Sequence, residues 1–172
     1  FVIGGYLAAR SIFSNKNNIR SLGFNLINRY FRLMMPFMCA VLIAIICAVI
    51  ARGVMHHEFI PDLPKLPQFM SHVFLLHGVL DFDSLLAGAW FIAIDFQLFV
   101  LTVLLLWSSQ ALRWAGWAPL LIGALTVGSL IWIRTWSNWD NWAPYFYNAY
   151  GVGLLMGWLT RRSDEGLPWV RM

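Results

Sequence analysis

The stretch LLAGAWFIAIDFQLFVLTVLLLW, residues 85–107, decides the fold of this chain. Its 23 residues are enough to cross a bilayer, which takes about 20 apolar residues in an α-helix. Near its middle lies one charged residue, Asp95. Because a carboxylate at mid-depth is costly, a membrane protein that keeps one uses it or pairs it inside a helix bundle. The stretch therefore predicts an integral membrane protein and makes Asp95 the first candidate functional residue.

The composition of the whole chain agrees with this prediction. Hydrophobic residues make up 60% of the 172 residues, charged residues make up 12%, and the mean hydropathy is +0.67. These values argue against a soluble or disordered domain. The net charge of +4 does not indicate nucleic-acid binding, because the basic residues lie in loops between apolar runs.

The apolar runs predict an all-α fold, a polytopic transmembrane helix bundle forming one membrane domain over residues 1–172. We expect about five spanning segments, the first of them truncated, at residues 1–13, 33–51, 85–107, 118–133 and 144–159. The apolar piece 69–80 is too short to span and predicts an interfacial or re-entrant helix. Because the chain begins at Phe1, inside an apolar run, we expect it to be a fragment of a larger membrane domain.

Basic residues predict the orientation of the helices. Nine of the twelve lysines and arginines fall in the loops 10–32, 108–117 and 160–172, with two acidic residues, while the opposite loops hold three basic and five acidic residues. We therefore place the first three loops in the cytoplasm.

Arg29 and Arg32 are the second candidate site, spaced by three residues on one face of a predicted helical approach to the membrane. Two guanidinium groups there would suit phosphates, but from composition alone we favour positive-inside anchoring of the chain. Asp95 likewise has two explanations: a carboxylate that acts on a substrate, or one tied to an arginine or a backbone group to hold two helices together.

Four histidines complete the inventory of candidate residues. His72 and His77 are five residues apart, about 140° around a helix, so we predict that they do not share a face. His77 suits a proton carrier or a hydrogen-bonded loop histidine. His56 and His57 lack metal-ligand spacing, and we predict no metal site.

The last predicted span contains Gly153-x-x-x-Gly157, a spacing that permits close approach of helices. It allows either a dimer face or packing within the chain, and we expect the latter.

Three blocks, in order, carry a family resemblance. FVIGGYL at residues 1–7 resembles the FFVISGFLI segment of the acyltransferase-3 family, and RYFRLMMP at 29–36 is similar to that family's RRxxRIxP approach to its third helix. WFIAIDFQLF at 90–99 resembles WSLSVEEQFY, with Trp90 at the tryptophan, Asp95 at the first glutamate and Gln97 at the glutamine.

The resemblance implies a bacterial inner-membrane enzyme that moves an acyl group, often acetyl from acetyl-CoA, to a hydroxyl of a surface glycan or glycolipid. The family's catalytic histidine lies on a helix upstream of Phe1, so this chain is expected to be inactive alone. It would lack the family's first helix and C-terminal half, and it would bind no cofactor beyond the acyl-CoA donor. Asp95 would support catalysis, and Arg29, Arg32, Trp90 and Gln97 would bind substrates.

A different class of protein also explains an intramembrane carboxylate. A secondary transporter or flippase of a glycan or lipid precursor uses such groups for proton coupling. That alternative stays open, although the chain shows no pair of Gly/Pro-interrupted spans at corresponding positions.

Overall fold

The computed structural model describes residues 1–14, 19–54, 63–111, 117–131, 135 and 142–166. Within these ranges the chain forms helices and turns without any strand, so the predicted all-α class is confirmed. The six helices are α1 (Val2–Ser14), α2 (Ile19–Val54), α3 (Leu66–Val73), α4 (Ala89–Ala111), α5 (Ala118–Ile131) and α6 (Ala143–Gly166).

Two helices are long and apolar enough to cross a membrane: Leu22–Val54 within α2 and Ala89–Ser109 within α4. They contain the predicted spans 33–51 and most of 85–107. By contrast, α5 has 14 residues and a length of about 21 Å, short of a hydrocarbon core of about 30 Å. Among the described residues, two helices combine the length and the hydropathy of a membrane span, so the five predicted spans are confirmed only in part.

Residues 10–32 were expected to form a loop that becomes helical only at the approach around Arg29 and Arg32, but the chain is helical from Ile19 onward as part of α2. The reason is a stripe of buried and half-buried positions at helical spacing, which continues into the apolar part of the helix at Met34, Phe37 and Val41. The scattered arginines hide this stripe when the sequence is assessed by hydropathy alone. Pro36 lies inside α2, which continues past it.

The apolar piece 69–80 is not a single helix. α3 ends at Val73, and the chain then runs through turns as far as residue 88, with Leu75 (φ 56°) and Asp81 (φ 57°) in the left-handed region. Leu75 is fully buried, and the Leu76 amide donates to the Ser71 carbonyl at 2.8 Å, which folds the segment back on α3. Because α4 begins only at Ala89, Asp95 is its seventh residue and lies about 9 Å from its start.

The chain divides into two compact units. The first contains Phe1–Ile27 and Gln97–Met172. In it α6 contacts α1 and α5, and the glycines of α6 lie directly against its neighbours: Gly153 against the backbone of α1, and Gly157 against Ala9. The Gly153-x-x-x-Gly157 spacing therefore serves packing within the chain, as expected.

The second unit, Asn28–Phe96, carries the candidate site. Its core is a cluster of buried side chains from α2, the segment after α3 and α4: Met34, Phe37, Val41, Leu75, Ala89 and Ala93. Ala89 and Ala93 are the members of this cluster that α4 supplies.

Candidate functional site

An ion pair between α2 and α4 forms the centre of the candidate site. Nη2 of Arg29 donates to Oδ2 of Asp95 at 2.7 Å. The two side chains are only 20% and 12% exposed. A charge-assisted hydrogen bond of this length, largely screened from solvent, is stronger than a bond between neutral groups.

Neighbouring aromatic residues hold the pair in place. Tyr30, next to Arg29, donates its hydroxyl to the Val73 carbonyl at the end of α3 at 2.9 Å. Its ring also lies 5.5 Å from that of Phe96, next to Asp95. Three helices of the second unit therefore fix the positions of the two charges.

The ion pair has a consequence for depth in a membrane. The residues 96–107 extend about 18 Å along α4 beyond Asp95, toward the predicted cytoplasmic end. Arg29 must lie at the same level as Asp95 because their side chains are in contact. The sequence placed Arg29 at the cytoplasmic boundary and Asp95 at mid-depth, and these two placements cannot both be right.

The other predicted substrate-binding residues lie on the same two helices, α2 and α4. Arg32 is exposed on α2, one turn beyond Arg29. Trp90 is 47% exposed and makes an edge-to-face contact with Phe91. Gln97 is half-buried and belongs to the first unit. Of the five predicted residues, the second unit therefore brings together Arg29 and Asp95 and leaves Arg32 and Trp90 at its surface.

A buried stack of two histidines is the feature that sequence reasoning missed. The rings of His72 and His77 are parallel within 9° and 4.2 Å apart, and Phe37 stacks on His72 at 6.4 Å. The prediction that the two histidines do not share a face was wrong, because the helix ends at Val73 and the turn at Leu75 brings His77 back over His72. Gly78, just after His77, was the available signal that the helix would not continue.

His72 is held as a neutral ring. Its Nδ1 lies 2.8 Å from the Gln68 carbonyl, which only accepts, so Nδ1 carries the proton. The Leu85 amide donates to Nε2 at 3.1 Å, so Nε2 is unprotonated. His72 thereby ties the end of α3 to the segment that leads into α4.

His77 is 1% exposed, and among the described residues neither of its ring nitrogens has a hydrogen-bond partner. Burial, with a smaller contribution from His72, lowers the pKa of His77 from 6.5 to about 4. The ring is therefore neutral at physiological pH.

Metal binding was not predicted, and the described residues include no group of three His, Cys, Asp or Glu side chains placed to hold an ion. His56 and His57 lie outside the described residues.

A buried arginine–carboxylate pair can orient a polar substrate or stabilise a developing charge, and it can also simply join two helices. Comparison of the chain with models of known protein families, with curated proteins and with solved structures gives no match.

Proposed function

We propose that this chain is part of a membrane-bound acyltransferase that moves an acyl group, in the first instance acetyl, from acyl-CoA to a hydroxyl of a cell-surface glycan or glycolipid. The observation that carries the proposal is the ion pair of Arg29 with Asp95. Both members belong to blocks that resemble the acyltransferase-3 family, one in the arginine-rich approach and one at the glutamate position. The two apolar helices that bear them support a site within a membrane, and the resemblance implies that this membrane is a bacterial inner membrane.

In the proposed reaction the acceptor oxygen attacks the thioester carbonyl, a C–O bond forms, the C–S bond breaks and CoA leaves as the thiol. A general base takes the hydroxyl proton, and the resemblance assigns that role to a histidine upstream of Phe1. Asp95, held in place by Arg29, would orient that base or the acceptor. Arg32 has an exposed guanidinium group, so we keep it as the residue proposed for the phosphates of the donor.

A structural clamp would produce the same ion pair, so the test must separate the two roles. An apolar pair of similar volume is often as stabilising as a buried ion pair. A protein in which both residues are replaced by leucine should therefore keep its fold. If the charges serve catalysis, the same protein should lose its activity.

The experiment measures transfer of label from radiolabelled acetyl-CoA to a glycan fraction, using membranes that contain the complete protein. We expect the wild type to transfer label and Asp95→Asn to lose tenfold or more of this activity. The double variant Arg29→Leu/Asp95→Leu should insert into the membrane and show no activity. Asp95→Glu, which restores the carboxylate, is the matched control. Full activity in the double variant would show that the pair is only a clamp.

The donor site has its own test. Arg32→Ala should raise the KM for acetyl-CoA several-fold while leaving the acceptor KM unchanged, because the exposed arginine contacts the phosphates. Arg32→Lys keeps the charge but not the bidentate geometry, so its KM for acetyl-CoA should lie between those of the wild type and Arg32→Ala. A donor KM unchanged in Arg32→Ala would remove this residue from the site.

An ion pair between apolar helices also suits the alternative, a secondary transporter or flippase of a glycan or lipid precursor. Absence of label from every glycan and lipid fraction, together with movement of a fluorescent glycolipid across vesicles that depends on Asp95, would favour that function instead.

A further inference from the structure

The buried His77 has a hydrogen-bonding capacity that the proposed function does not use. Its ring is 1% exposed, and in the described part of the chain both nitrogens lack a partner. Buried side-chain nitrogens in native proteins are nearly always hydrogen-bonded, so such a group indicates a ligand. The ring is also fixed in position, since His72 covers one of its faces at 4.2 Å.

The protonation state of His77 limits the chemistry of that ligand. His72, the titratable group in contact with it, is itself neutral because Nδ1 donates to Gln68 and Nε2 accepts from Leu85. Burial against a neutral ring keeps His77 neutral as well. The imidazole then presents one N–H donor and one lone pair on opposite edges of the ring.

A neutral donor–acceptor ring selects among the possible ligands. Phosphate and carboxylate oxygens only accept, so they complement the N–H edge of the ring alone. An ammonium group only donates, so it complements the lone-pair edge alone. A hydroxyl group both donates and accepts, so it is complementary to either edge.

We propose that His77 is a hydroxyl-binding residue of this membrane domain, holding a hydroxyl of the glycan or glycolipid acceptor or, from the other source of the same chemistry, a water molecule. The assignment to the acceptor rests on the proposed acyl transfer, whereas the binding of a hydroxyl group does not. His77 binds and orients this group and does not remove its proton, because its ring is too weak a base in this environment.

The test is solid-state NMR of the complete protein in phospholipid vesicles, with the histidine rings labelled with nitrogen-15. Magnetisation transfer from water protons to each ring nitrogen is recorded with and without methyl glucoside as a soluble sugar probe. Subtraction of the His77→Gln spectrum identifies the His77 signals, and His77→Phe, which keeps a flat ring over His72, provides a second identification should the glutamine variant fail to fold.

We expect one protonated and one unprotonated nitrogen for His77 at neutral pH, with transfer from hydroxyl protons to at least one of them. Transfer that methyl glucoside displaces supports a sugar hydroxyl as the ligand, and transfer that it leaves unchanged supports bound water. No transfer at all, or a doubly protonated ring, would overturn the proposal. Neither result depends on acetyl transfer, so failure here is distinct from failure of the proposed function.

Discussion

At the scale of single residues, Asp95 and Arg29 each provide the opposite charge that the other needs in a mostly buried position. Either charge alone in a mostly buried position would be costly, and together they lie 2.7 Å apart. The sequence identifies Asp95 as unusual because it interrupts an apolar run. Its partner could not be deduced in the same way, because Arg29 is 66 residues away and looks like one of several boundary arginines.

Stability measurements should show this dependence as a double-mutant cycle. Asp95→Leu removes the carboxylate that faces the guanidinium group of Arg29, so we expect the free energy of unfolding in detergent to fall by about 2–3 kcal/mol, below the full value for a completely buried pair. Arg29→Leu should have a similar effect. The double variant should recover to within about 1 kcal/mol of the wild type. A loss of stability in the double variant equal to the sum of the two single losses would contradict direct coupling.

His77 makes stability depend on pH. The pKa of His77 is about 4 in the folded chain and 6.5 in its ordinary state, so between these values the unfolded chain binds more protons. The contribution of His77 to the free energy of unfolding is therefore fully present above pH 6.5 and is lost as the pH falls toward 4. The denaturation temperature of His77→Gln, whose side chain cannot titrate, should fall less over this pH range than that of the wild type. An identical pH profile for wild type and variant would show that His77 contributes nothing to it.

At the scale of elements, the close packing of α1 against α6 depends on residues without a side chain. A Cβ added at Gly5 would overlap the Tyr150 carbonyl oxygen, and one added at Gly153 would overlap the Val2 carbonyl oxygen. Both obstacles are backbone atoms of helices, which cannot move aside as a flexible side chain can.

Alanine substitutions can test this packing. Gly5→Ala and Gly153→Ala should each lower the free energy of unfolding by about 1–3 kcal/mol, because the helices must separate. Gly123→Ala is the control: it lies inside α5 with open space around its Cβ and should stabilise the helix by about 0.5–1 kcal/mol. Equal effects at all three sites would show that helix propensity, rather than contact, governs the first unit.

The elements also show how far the sequence could predict this fold. Long apolar runs predicted α4 and the apolar part of α2, because continuous hydropathy is a local property. The start of α2 and the end of α3 were missed for opposite reasons. Arginines concealed a buried stripe in α2, whereas uniform hydropathy over residues 69–80 concealed the left-handed turn at Leu75. That turn creates the histidine stack, so the stack could not be predicted without it.

At the scale of the whole molecule, the exposed surface of α2 indicates the medium around it. Large apolar side chains line the second half of this helix, among them Ile43, Ile46, Ile50 and Val54, which are 58–79% exposed. A continuous apolar surface of this kind is rare on soluble proteins and suits contact with lipid or with other helices. It agrees with the two helices that are long enough to cross a bilayer.

The direction in which α4 crosses the membrane can be tested with two serines. Ser84 lies before its start and Ser108 near its end; both are exposed, and residues 89 and 108 are about 28 Å apart along the axis. Cys39 and Cys47, which are free thiols, are first replaced by alanine. Ser84→Cys or Ser108→Cys is then introduced into the complete protein and treated with a membrane-impermeant maleimide.

Because the basic loop 108–117 is predicted to be cytoplasmic, Ser84→Cys should react in intact cells and Ser108→Cys only after the cells are opened. The reverse pattern would invert the topology and contradict the predicted cytoplasmic position of the loops 10–32, 108–117 and 160–172. Reaction of both in intact cells would mean that α4 does not cross the membrane, and the proposed site would then lose the low-dielectric surroundings on which the Arg29–Asp95 argument depends.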